Sequence, residues 1–308
     1  MARWAASDIP DQTGRTILIT GANSGLGLRS AEALAAAGAR VLMACRNAEK
    51  AETARAGVAQ LASGPPPEVV PLDLSDLESV ASVAGRLPAD VDRLDVLLNN
   101  AGVMAVPLAR TPQGFEMQFG TNHLGHFALT SRLLPVLLQA EAPRVITISS
   151  FGHKPGHIRW DDPNWQQRYS AWPAYFQTKL ANLLFTSELQ RQSTEAGARL
   201  LAAAAHPGYA STNLVASGPG SGSRFMRIGG DLTNRMLGQP DHKGALPQLY
   251  AATMPDVAGN DYWGPDGFME QRGYPKRVSR TKKASNAEDA RRLWALSEEL
   301  TGTAYTWS

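Results

Sequence analysis

Tyr175 and Lys179 stand four residues apart in a stretch, Ala174 to Ala196, that reads as a long helix. Positions i and i+4 share a helix face, so a phenol and an ammonium there reach one site. A tyrosine with its ordinary pKa of about 10 is a poor base at neutral pH. A neighbouring ammonium stabilises the phenolate and lowers that pKa. Such a tyrosine can protonate a carbonyl oxygen as hydride arrives, or deprotonate an alcohol in the reverse direction. Other polar residues end predicted strands. Ser149-Ser150 follows Val145–Ile148, Asn99-Asn100-Ala101-Gly102 follows Val96–Leu98, and Pro207-Gly208 follows Leu200–Ala205. Asn122 lies in a helical stretch between the first two sites, and Thr212 lies four positions beyond Gly208.

A second constellation precedes these. Gly21-Ala22-Asn23-Ser24-Gly25-Leu26-Gly27 follows the β-branched run Thr16–Thr20 and opens the helical stretch Leu26–Gly38. Glycine lets a backbone turn sharply and approach a pyrophosphate, and the helix N-terminus offers unpaired N–H groups to the anion. The spacing is G-x-x-x-G-x-G, and its place between strand and helix points to a dinucleotide. At the end of the second strand an acid would bind the ribose hydroxyls of NAD, whereas an arginine accommodates a 2′-phosphate. Cys45 and Arg46 occupy that place and no carboxylate does. With Ser24 adding a hydroxyl, NADP(H) is expected over NAD(H).

These residues need a scaffold that alternates strand and helix. Val41–Ala44, Val69–Leu72, Val96–Leu98, Val145–Ile148 and Leu200–Ala205 are short apolar runs. Helical stretches near Glu49–Ala62, Leu77–Arg86, Thr121–Gln139 and Ala174–Ala196 separate them. The pattern predicts βαβ units in one α/β domain, a doubly wound parallel sheet with helices on both faces. Residues 14–213 form the cofactor-binding and catalytic core of this single domain over 1–308. Residues 214–308 form a rim: the Ser217–Ser223 glycine/serine loop, helical pieces around Gly238 and Pro240, an aromatic Gly/Pro-rich segment, and a final helix Asp289–Leu300.

In this order the motifs resemble the short-chain dehydrogenase/reductase family, whose fold is of the Rossmann type. The glycine turn, Asp73-Leu74, Asn99–Gly102, Asn122, Ser149-Ser150, Tyr175-x-x-x-Lys179 and Pro207-Gly208 carry the resemblance. Ala44-Cys45-Arg46, Asn122–Phe127, Lys179–Asn182, Gly264–Phe268 and Leu293-Trp294 are similar to retinol dehydrogenase-like bacterial members. The resemblance implies that Tyr175 is the acid/base and that Lys179 lowers its pKa and bonds the nicotinamide ribose. It implies that Asn122 holds a water linking Lys179 to solvent. Asp73 and Leu74 would bracket the adenine, Asn99, Asn100, Ala101 and Gly102 would line the ribose side, and Pro207, Gly208 and Thr212 would face the nicotinamide end. Of the serines, Ser150 fits the family register if a one-residue insertion lies near Glu141–Pro143; Ser149 stays open. The Ser150-to-Tyr175 gap is long, and His153–Trp172 within it is expected to wall the substrate site.

The implied activity is interconversion of a carbonyl and an alcohol, on a small apolar substrate, by an NADP-dependent oxidoreductase. The alternative is an NADP-binding sensor or scaffold without turnover. With 30 Lys and Arg against 28 Asp and Glu, the charge balance carries no nucleic-acid footprint. No run of apolar residues reaches membrane-spanning length, and one cysteine fits a reducing, cytoplasmic setting. Paired histidines (His123 with His126, His153 with His157) fall short of a three-ligand metal set, so no metal is expected. The basic run Lys276–Lys283 reads as a solvated loop, and self-association is left open.

Overall fold

The run Thr16–Thr20 forms β1 with every residue buried, because helices cover both faces of the strand. Ile17 and Ile19 point to one layer and Leu18 to the other, the period-two alternation of a strand. The same holds in β2 (Arg40–Cys45), where Val41 and Met43 oppose Leu42 and Ala44. The structure, a computed structural model, describes residues 3–209 and 239–307. Thr212 and the Ser217–Ser223 stretch lie outside the described residues.

The remaining strands are β3 (Glu68–Pro71), β4 (Val96–Asn99), β5 (Arg144–Ile148), β6 (Leu201–Ala205), β7 (Tyr262–Pro265) and β8 (Pro275–Arg277). They join in one sheet in the order β3-β2-β1-β4-β5-β6-β7-β8, parallel throughout except for the antiparallel β7–β8 pair. The fold is therefore a single α/β domain of the doubly wound type. The chain reverses its direction across the sheet between β1 and β4. A crevice opens at such a switch point, beyond the carboxyl ends of the strands.

Helices α1 (Gly25–Ala36) and α2 (Ala48–Ala59) cover one face with α8 (Leu246–Thr253), which follows the short α7 (Asp241–Gly244). Helices α3 (Leu77–Asp90), α5 (Gly125–Leu138) and α6 (Ala171–Glu195) cover the other, backed by α9 (Ala287–Thr301). The stretch read as one helix over Thr121–Gln139 is more broken. A short α4 (Met117–Phe119) leads into one turn of π-helix, Gly120–Leu124, and then into α5. Such a π-turn frequently marks a functional site, and Asn122 sits in its middle.

Two strands went unread in the sequence. β7 has the sequence Tyr-Trp-Gly-Pro, and its glycine and proline argue against a strand interior. It forms because it lies near the sheet edge, pairing parallel with β6 and antiparallel with β8. The basic run also departs from a solvated loop. Pro275–Arg277 is β8, and Arg280 is half-buried, donating to Ser187 Oγ at 2.6 Å and to the Asn260 carbonyl at 2.7 Å.

Candidate active site

Tyr175 lies in the first turns of α6, 8% exposed, beneath the ring of Trp172 at 6.3 Å. One turn further on, Lys179 places Nζ 5.5 Å from the centre of the Tyr175 ring. That ammonium donates to the Ile148 carbonyl at 3.1 Å, at the end of β5. The two serines that follow β5 part company. Ser149 is buried and donates to the Lys179 backbone carbonyl at 2.8 Å. Ser150 turns to the phenol of Tyr175.

Electrostatics differ from the expectation that Lys179 pulls the phenol down. Burial pushes Tyr175 up to about 12, with the Ser150 hydroxyl pulling the other way. Burial also brings the Lys179 ammonium down to about 8. At neutral pH the pair is thus a protonated phenol beside a predominantly charged amine, an arrangement suited to giving a proton away.

Asn122 is held in the π-turn from three directions. Its Oδ1 accepts from the Val103 N–H at 2.8 Å, and its Nδ2 donates to the Val103 carbonyl at 2.8 Å and to Thr178 Oγ1 at 3.1 Å. The lack of a side chain at Gly102 matters here. A Cβ there would lie 3.0 Å from Asn122 Oδ1 and 3.8 Å from Lys179 Nζ. The segment after β4 therefore runs directly past both groups.

The glycine turn has the shape of an anion cradle. Gly21 and Gly25 adopt φ of 68° and 51°, where a side chain is strained. A Cβ on Gly27 would overlap the Gly21 carbonyl, and one on Gly21 would lie 3.0 Å from Ala101 Cβ. Ser24 caps α1 with its backbone, and its hydroxyl makes no capping bond. Free N–H groups, a free hydroxyl and room for close approach fit a pyrophosphate.

Thr20 ties this turn to the other half of the sheet, a role the sequence reading missed. Its Oγ1 accepts from the N–H groups of Asn100 and Ala101 at 2.9 and 3.0 Å, and contacts His126 Nε2 at 2.9 Å. Asn100 Nδ2 returns a bond to the Thr20 carbonyl at 2.8 Å. Asn99 turns away from the crevice into the helix layer, donating to Thr130 Oγ1 at 3.0 Å. The only advance signal for Thr20 was its place as the last residue before the glycines.

The outer candidates flank this centre. Arg46 is exposed just past β2, next to the turn, because the Gly21 N–H bonds the Ala44 carbonyl at 2.7 Å. Cys45 beneath it is buried, and burial pushes its thiol up to about 11. Asp73 accepts from the backbone and hydroxyl of Ser75 at 2.9 and 2.7 Å, and Leu74 is buried against α5. Pro207 and Gly208 follow β6, with Gly208 at φ 69°.

A family model described as short chain dehydrogenase matches residues 15–219. The chain belongs to the short-chain dehydrogenase family. Human retinol dehydrogenase 13 is 39% identical over 293 residues, covering 94% of this chain and 85% of its own length. Mouse retinol dehydrogenase 14 is 39% identical over 304 residues, with 94% and 86% covered. A crystal structure of an uncharacterised protein from Mycobacterium paratuberculosis shares 46% identity with a TM-score of 0.82, over 99% of this chain and all of that one. A short chain dehydrogenase from Shigella flexneri 2a strain 301, complexed with NADP, shares 25% identity with a TM-score of 0.62, over 82% and 96%. This member is retinol dehydrogenase-like, an oxidoreductase acting on CH–OH or C=O groups with a nicotinamide cofactor.

The segment that lengthens this short-chain dehydrogenase between Ser150 and Tyr175 is sewn to the loop before α4. Arg110 donates to the carbonyls of Asn164 and Trp165, Tyr169 Oη donates to the Val106 carbonyl at 2.6 Å, and Gln118 Nε2 donates to Tyr169 Oη at 3.0 Å. Most aromatics here are packing. Trp165 is 7% exposed, whereas Trp172 is 52% exposed over Tyr175 and Phe176. His123 and His126 are buried and engaged, with Ser297 Oγ at 2.9 Å and the Asn122 carbonyl at 3.1 Å.

Proposed function

We propose that this enzyme interconverts a small apolar carbonyl and its alcohol with NADP(H), using Tyr175, Lys179, Ser150 and Asn122. The observation that carries the reading is the convergence of Ser150, Tyr175 and Lys179 beyond β5, with the anion cradle at the end of β1. The bound nicotinamide supplies or accepts the hydride. Tyr175, held protonated by burial, gives its proton to the substrate oxygen, while the Ser150 hydroxyl holds that oxygen in line. Lys179 faces the phenolate that remains and stabilises it. Asn122 fixes the Val103 backbone and thereby the wall beside Lys179. Gly21, Asn23, Ser24, Gly25, Leu26 and Gly27 hold the pyrophosphate. Asp73 and Leu74 hold the adenine end; Asn100, Ala101, Gly102, Pro207 and Gly208 hold the nicotinamide end.

Arg46 supports NADP over NAD. It is exposed beside the cradle and makes no ion pair among the described residues. A 2′-phosphate would give its guanidinium a bidentate partner. Trp172 supports an apolar substrate, since it leaves a large ring face open above Tyr175. The buried, free thiol of Cys45 supports a cytoplasmic setting. The test is an NADPH- and NADH-oxidation screen over aldehydes, ketones and quinones with Tyr175→Phe as control. Turnover with NADPH is expected to exceed that with NADH, and Tyr175→Phe to lose at least about a hundredfold in kcat with NADPH binding retained. Equal efficiencies with both cofactors would refute the NADP preference. A fully active Tyr175→Phe would refute the site.

A further inference from the structure

The turn between β7 and β8 spends backbone strain on placing one carboxylate. The Asp266 N–H donates to the Tyr274 carbonyl at 2.8 Å and the Gly267 N–H to the Arg272 carbonyl at 2.9 Å, which closes the turn. At its tip Phe268 and Met269 are 84% and 62% exposed. Met269 and Glu270 both lie in the left-handed region, at φ of 50° and 57°. Two successive non-glycine residues persist there only when their surroundings hold them. The result is that Glu270 turns inward while its neighbours face out.

Glu270 Oε2 stands 3.6 Å from Lys154 Nζ and 3.4 Å from His206 Nε2. Each partner belongs to a different strand end. Lys154 closes the turn that begins at Ser150, and inside that turn His153 Nδ1 lies 2.7 Å from the Ser150 carbonyl. His206 follows β6 immediately before Pro207-Gly208 and is 1% exposed. Its Nδ1 accepts from the Gly208 N–H at 3.2 Å, so in the neutral ring Nε2 carries the proton and faces the carboxylate. The Phe151 ring packs on His206 at 5.2 Å, and a Cβ on Gly264 would overlap the imidazole. One carboxylate thus stands between the turn that holds Ser150 and the turn that holds Gly208, within ion-pair reach of Lys154 and in close approach to His206.

We propose that Glu270 is a positioning residue for the carbonyl chemistry, clamping the Ser150 turn through Lys154 and the Pro207-Gly208 turn through His206. The proposal rests on the roles given above to Ser150 and Tyr175. The clamp acts on strand ends β5 and β6, while the pyrophosphate cradle lies across the switch point on β1. Loss of the clamp therefore misplaces the substrate oxygen and the nicotinamide end together, while the pyrophosphate cradle keeps its hold on the dinucleotide.

Glu270→Gln keeps the side-chain length and removes the charge. It is expected to lower kcat about tenfold for the best carbonyl found, as misplacement of a reacting group does. The KM for that carbonyl and the Kd for NADPH should stay within about twofold, because the cradle on β1, which the clamp does not touch, anchors the dinucleotide, and the lost alignment is felt in the transition state. Lys154→Met, a change on a partly exposed side chain, should lower kcat in the same sense. Glu270→Gln added to the Lys154→Met, His206→Gln pair should be no slower than that pair alone, since Glu270 acts only through these two partners. Wild-type kcat in Glu270→Gln would overturn the clamp while leaving the reading of the site intact. So would a parallel fall in kcat, NADPH affinity and Tm, which would make Glu270 a folding residue. A wild-type enzyme inert towards every carbonyl would overturn the reading of the site and the clamp with it.

Discussion

Lys179 is buried with its ammonium bonded to the end of β5, and its charge is lost as pH rises through about 8. In the proposed mechanism the phenolate left on Tyr175 after proton donation needs that charge. Carbonyl reduction is therefore expected to be level between about pH 6 and 7 and to fall above about 8, approaching tenfold per pH unit. Lys179→Arg keeps a cation at every accessible pH. Its absolute rate should be lower, because a guanidinium cannot reproduce the bond to Ile148, but the alkaline fall should disappear. A pH–rate profile of both proteins decides this. An unchanged fall in the arginine variant would assign it to another group. At this scale the pairing of the two groups was legible in the sequence, since the Tyr175/Lys179 spacing fixes a shared helix face. The sign of the Tyr175 shift was not, because burial sets it, outweighing the Ser150 hydroxyl, and burial belongs to the tertiary structure.

Among the elements, the junction of the π-turn with α5 carries the most consequence. A Cβ on Gly125 would overlap the Leu74 carbonyl and lie 3.1 Å from Leu74 Cβ. The start of α5 is thus pressed against the loop after β3 that is proposed to hold the adenine. Alanine is the better helix former by up to about 1 kcal/mol, but overpacking a tight contact costs about 1–3 kcal/mol. The contact wins, so Gly125→Ala should be less stable in urea and should bind NADPH more weakly. Unchanged stability and affinity would show that the loop can give way. The core strands β1, β2 and β4–β6 were readable because each is an apolar run between breakers. β7 was not, because Gly264 and Pro265 look like loop residues. Gly264 is there to clear the His206 ring, a reason visible only once β6 and β7 lie side by side.

For the molecule as a whole, four histidines are buried and held in the neutral form. Burial brings His123 down to about 3, His126 and His153 to about 4, and lowers His206 as well. In the unfolded chain each titrates near 6.5. Their contribution is fully present above that pH and is lost as pH falls towards the folded values, because the unfolded state then takes up protons. Each histidine contributes a slope of up to about 1.4 kcal/mol per pH unit. The urea midpoint should therefore drop steeply between pH 7 and 5; a flat midpoint would contradict the neutral burial. Among the described residues no helix is long and apolar enough to cross a membrane.

The Thr20 hydroxyl has a further consequence. It receives two backbone N–H groups from the end of β4 while its own residue begins the glycine turn on β1. The two banks of the crevice are thereby fastened at the bottom of the cleft by this hydroxyl together with the Asn100 side chain on the Thr20 carbonyl. If the proposed cofactor sites hold, a dinucleotide lying across it would meet a yoke in which the seat for one half is set by the seat for the other. Its length would then be gauged as a whole, and a ligand with only half the molecule would fill one seat without the leverage of the second.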